Sequence, residues 1–61
     1  MNQHQLTINL INIYSKKLYT SNIDSVREGY RNKIIGMLSL AKELDIISTG
    51  EYEYYFTKIF N

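Results

Sequence analysis

The apolar positions of this chain fall in three groups, each at helical spacing. In the middle group Val26, Tyr30, Ile34, Met37, Leu38, Ala41 and Leu44 advance by steps of three and four, with Met37 and Leu38 side by side. Residues spaced in this way share one side of an α-helix. Arg27, Glu28, Arg31, Asn32, Lys42 and Glu43 lie mostly off that stripe. The first group predicts a helix over about Gln3–Tyr19, with Leu6, Leu10, Ile13, Tyr14 and Leu18 on one face. Ile11 widens that face, and Ile8 with Tyr19 forms a second apolar edge. An extended reading of residues 7–13 rests on an imperfect alternation of Ile8, Leu10, Asn12 and Tyr14. It gives way to the helical stripe, which continues through Leu18.

Between these helices Thr20-Ser21-Asn22-Ile23-Asp24-Ser25 reads as a break. Ser21, Asn22, Asp24 and Ser25 are all acceptable N-caps, because each side-chain oxygen can accept a free amide proton of the first turn. The pattern alone does not choose among them. So short a link predicts that the first two helices fold back as an antiparallel hairpin. The second helix is expected to end near Leu44. Beyond it, Ser48-Thr49-Gly50-Glu51 reads as a reciprocal capping box, and Ile47 and Tyr52 stand at the hydrophobic-staple positions. The third helix then shows Tyr52, Tyr55, Phe56, Ile59 and Phe60 on one face.

The expected fold is therefore all-α and one domain over residues 1–61. An antiparallel helical hairpin carries a short C-terminal third helix across its open end, as a small three-helix bundle. The core expected from the stripes is Leu6, Leu10, Ile13, Tyr14, Val26, Tyr30, Ile34, Met37, Ala41, Leu44, Tyr52, Phe56 and Ile59.

Length sharpens this picture. A chain of 61 residues buries only about 60% of the surface its unfolded form exposes, so small folds usually add a disulfide, a metal or a partner. There is no cysteine, and the single histidine, His4, cannot build a zinc site alone. A partner chain remains, so self-association as a homodimer, or docking on a larger protein, is expected. The formal charge of +1 is too small to attract nucleic acid by its field. No apolar run reaches the roughly 18 residues of a membrane span. Met1–Gln5 lacks the basic patch of a signal peptide, so a cytoplasmic location is expected. Abundant Ile, Asn, Lys and Tyr are the mark of an AT-rich genome.

No feature of the sequence points to catalysis. There is no cysteine nucleophile and no glycine-rich phosphate loop, and no carboxylate lies near His4 in sequence to orient it. No cofactor, metal or small-molecule substrate is expected. Tyrosine, which is amphipathic and enriched at interfaces, occurs six times. Tyr19, Ile35, Tyr54 and Tyr55 are the expected protein-binding residues, with Arg27 and Arg31 as rim charges. Gly29 and Gly36, seven residues apart on one side of the second helix, suit the close approach of another helix, such as a twofold-related copy.

Two readings involve nucleic acid. Residues 40–58 loosely resemble a helix-turn-helix, but Glu51 and Glu53 would face the phosphates and Asp45 stands where the turn glycine belongs. The same carboxylates, with Glu43 and Asp45, could instead imitate phosphates, although the helix dipole alone accounts for Glu51. The function expected from the chain is a small regulator or inhibitor that docks on a larger protein, of the type that phage and mobile elements of AT-rich bacteria encode. The alternatives are a nucleic-acid-binding regulator and a structural subunit of a homo-oligomer.

Overall fold

A computed structural model describes residues 2–60. Three helices follow one another: α1 (Gln3–Thr20), α2 (Asp24–Glu43) and α3 (Thr49–Phe60), and no strand occurs among the described residues. The fold is the all-α three-helix bundle that the apolar spacing predicts. The Cα atoms span 33 × 22 × 14 Å, so the long dimension is that of α2 itself, about 30 Å at 1.5 Å per residue.

Each helix end satisfies its free backbone groups in its own way. At the start of α1 the Asn2 side chain accepts from the Gln5 amide at 2.7 Å. The start of α2 departs from expectation. Its N-cap is Ile23, with no side-chain hydrogen bond, and none of Ser21, Asn22, Asp24 or Ser25 takes that role. The elbow is closed instead by Arg27. Its Nη1 donates to the carbonyls of Leu18 and Ser21, both at 3.1 Å, and so satisfies the last turn of α1 from the first turn of α2. A long cation at a helix C-terminus also suits the dipole there.

The second turn is two motifs back to back. Asp45 has φ 56°, in the left-handed region. Its amide donates to the Lys42 carbonyl at 3.1 Å, and the Ile46 amide donates to Ala41 at 2.8 Å. This is the Schellman arrangement, usually built on glycine. Two residues later the capping box forms as read from the sequence. The Glu51 amide donates to Ser48 Oγ at 3.1 Å, and the Ser48 amide donates to Glu51 Oε1 at 3.0 Å.

The third helix does not lie across the open end of the hairpin. It doubles back along its side. Lys42, at the end of α2, sits 4.8 Å from the Tyr52 ring centroid, and Arg31, near the start of α2, sits 5.8 Å from that of Phe60. Both ends of α3 also reach α1. His4 Nε2 lies 2.7 Å from Glu51 Oε2, and the Tyr19 hydroxyl donates to the Lys58 carbonyl at 2.8 Å. α3 is therefore parallel to α1 and antiparallel to α2. The physical reason is the tight Schellman–capping-box turn, which reverses the chain within five residues (44–48).

The core is Ile11, Leu18, Ile34, Leu38, Ala41, Ile47 and Ile59, with Ile8, Tyr14, Tyr30, Met37, Ile46, Tyr52, Tyr55 and Phe56 packed partly against it. Ile34, Ala41 and Ile59 are buried as the stripes predict. Leu6, Leu10, Ile13, Val26 and Leu44, expected in the core, are exposed. α1 is turned about its axis so that Ile11 and Leu18 face inward, because the third helix packs on the Ile8 side of α1.

Asp45 is a correctable weak point. A residue with a Cβ in the left-handed region costs roughly 1 kcal/mol relative to glycine. Asp45→Gly should stabilise the fold by about 0.5–1 kcal/mol and raise the thermal midpoint by a few degrees, read by circular dichroism. Ser48→Ala should lower stability by about 1 kcal/mol, because it removes one arm of the capping box.

Candidate docking face

The residues expelled from the core are not scattered. Leu10 lines a cleft of about 140 Å³ with Thr7 from α1, with Met37, Leu40, Ala41 and Leu44 from the second half of α2 and its cap, and with Ile46. Leu6 and Ile13 lie one turn either side of Leu10 on α1, and Val26 shares the phase of Leu44 on α2. These six aliphatic side chains are between 36% (Leu10) and 61% (Leu40, Leu44) exposed. All lie on the side of the α1–α2 hairpin turned away from α3. The opposite flank of α2, at Arg31 and Lys42, is the one that α3 covers.

Gly29 and Gly36 belong to this face. They lie within half a turn of Leu40 on the helical wheel, and a Cβ built on either meets nothing within 4 Å. Two cations, Lys17 and Lys33, lie on the face, and Lys33 is laid across the groove with Nζ 5.5 Å from the Tyr14 ring centroid. The result is an aliphatic patch, flat where the glycines are and densest at the end formed by Leu6, Leu10, Leu40 and Leu44.

The binding residues expected from sequence lie elsewhere. Tyr54 and Tyr55 meet on α3, and Tyr19 of α1 reaches the backbone of that helix. Tyr54 and Tyr55 meet edge to face at 5.0 Å, and Lys58 links them to Tyr19, with its Nζ 5.8 Å from the Tyr54 ring and its carbonyl on the Tyr19 hydroxyl. Tyr19 and Tyr54 are exposed and Tyr55 is half-buried. Ile35 is half-buried and one turn beyond Arg31, on the other side of the molecule. Arg31 is half-buried against Phe60, and its Nε is shielded without a hydrogen-bond partner. Arg27 is held by the two elbow carbonyls, so the structure gives it a capping role in place of a rim charge. The sequence pattern marks this face only through Gly29 and Gly36, because Leu6, Leu10, Ile13, Val26 and Leu44 read as core. The signal that would have found it is that α1 carries more apolar residues than one buried stripe can hold.

Charge is segregated along the bundle. The half containing the α1–α2 elbow holds Lys16, Lys17, Arg27, Arg31, Lys33 and Lys58 against Asp24 and Glu28, and the other half holds Glu43, Asp45, Glu51 and Glu53 against Lys42. A formal charge of +1 thus conceals a basic end and an acidic end. At the acidic end, residues 40–58, which loosely resemble a helix-turn-helix in sequence, form a hairpin in which α3 runs back along α2. Among the described residues no cluster of His, Cys, Asp or Glu is suited to a metal ion, and no helix is long and apolar enough to cross a membrane. No protein-family model, curated protein or solved structure matches this chain.

Glu51 joins two parts of the molecule: the capping box with Ser48 and His4 of α1. The Ser48 amide foremost, then the His4 ring, hold its carboxyl below the ordinary carboxylate value. A lowered folded-state pKa adds stability that is present above the unfolded pKa and is lost as pH falls through the folded one. Stability should therefore drop on the acid side of the carboxylate range. Glu51→Gln should flatten that acid limb in urea titrations run across pH. An unchanged limb would remove Glu51 as its source.

Proposed function

We propose that this protein is a non-enzymatic protein-interaction module, a small regulator whose working surface is the aliphatic α1–α2 face. One observation carries the reading: Leu10, Leu40 and Leu44 stand exposed around one aliphatic cleft, with Leu6 and Ile13 a turn to either side of Leu10. A contiguous patch of that kind marks an interaction surface. Its chemistry favours a protein helix or hairpin over a polar ligand, because the face offers Leu and Ile side chains and flat glycine backbone with few polar groups to orient a substrate. The Tyr54–Tyr55 pair on α3 offers less apolar surface, and the Tyr19 hydroxyl is already engaged within the chain.

Leu40→Glu places a charge at the densest end of the patch, on a side chain that the bundle leaves exposed. Helicity and thermal midpoint should change little, whereas cross-linking of the protein to its partner in the source cell should be lost. Tyr54→Ala should leave that cross-link in place. The opposite pattern, with Tyr54 essential and Leu40 dispensable, would move the working surface to α3.

A further inference from the structure

We infer that the α1–α2 face is completed by a second copy of this chain, packed face to face and antiparallel, an inference that rests on the docking role proposed for that face. Three features lead there. The face carries the cleft and the exposed aliphatic side chains of α1 and α2, and α3 does not cover it. The segregated charges choose the symmetry. Two faces can meet by a twofold axis lying in the interface, either along the helices or across them. An axis along the helices would bring basic end onto basic end. An axis across them stacks α1 on α1 and α2 on α2 with their directions reversed, so that unlike ends approach.

Surface relief then selects the register. When the axis passes at about the level of residue 38 in α2, Leu40 of each copy falls opposite Gly36 of the other, where a Cβ has open space around it. The same axis sets Leu6 against the other copy's Leu10, and Lys33 against its Glu43. A register centred on the middle of α2 would instead oppose the two Lys33 side chains. The overlap is about eleven residues of each long helix, roughly 16 Å, and two helices wide. That buries about 1,000 Å² in total, near the lower bound for a specific contact.

Sedimentation equilibrium of the full chain tests this. The wild type should be a dimer at about 100 μM and dissociate on dilution. Leu40→Glu should be monomeric. Gly36→Leu separates interface from fold: in an isolated bundle it fills open space and favours helix, so helicity should hold or rise while the dimer is lost. Lys33→Glu and Glu43→Lys should each weaken the dimer roughly three- to tenfold, and the double exchange should restore it. A wild type that stays monomeric at 100 μM overturns the second copy as occupant, while the docking face itself is then judged by the Leu40 cross-link. A dimer unaffected by Leu40→Glu likewise overturns the second copy as occupant of this face. A dimer lost in Leu40→Glu but untouched by Gly36→Leu overturns the arrangement.

Discussion

Everything in this structure follows from how little interior three short helices can enclose. Among the described residues, seven side chains, from Ile11 to Ile59, make the buried core. The molecule is not loosely folded. A chain of 7.2 kDa is expected to expose about 4,100 Å² when compact, and this one exposes 4299 Å². The aliphatic surplus is therefore not the result of poor packing. It arises because α1 and α2 each carry apolar residues on more than one side, and α3 can cover only one side of the hairpin.

That geometry explains what was legible in the sequence. Helix 3 begins where Ser48 and Glu51 say it should, because a capping box depends on four consecutive residues and needs nothing from the rest of the fold. The three helices themselves were legible for a similar reason, since apolar spacing repeats within each segment. The facing of α1 was not. Leu6, Leu10 and Ile13 make as good a stripe as Ile8, Ile11 and Leu18, and Tyr14 stands between them. Only the position of α3, set by a turn forty residues later, decides which stripe is buried. The α2 N-terminus was illegible for the same cause. Four local cap candidates were present, but Arg27 closes the elbow, and its partners are nine and six residues away.

The predicted site followed the same division. Tyr54 and Tyr55 form an aromatic pair on α3, with Tyr19 on the Lys58 carbonyl beside that pair. Ile35, Arg27 and Arg31 do not join it, because side chains exposed on a lone helix were enclosed by the neighbour. His4 shows the reverse. No carboxylate stands near it in sequence, yet the parallel course of α1 and α3 brings Glu51 to 2.7 Å. Long-range pairing of this kind depends on the direction of α3, and the direction depends on Asp45 accepting a left-handed backbone.

The two helix glycines bring these arguments together. Glycine within a helix costs up to about 1 kcal/mol relative to alanine. In a domain of 61 residues that is a sizeable fraction of total stability. Glycine is justified within a monomer when a neighbouring group comes too close for a Cβ, and at Gly29 and Gly36 nothing comes within 4 Å. Inside the isolated bundle, then, both positions are destabilising without structural return. On a covered surface the same absence of side chains lets two helix backbones draw together and gives a leucine from the facing helix somewhere to sit. The glycines lie on the flank of α2 that also exposes Leu40, and not on the flank that α3 occupies. Their position is what links a local weakness of the helix to the uncovered face of the bundle.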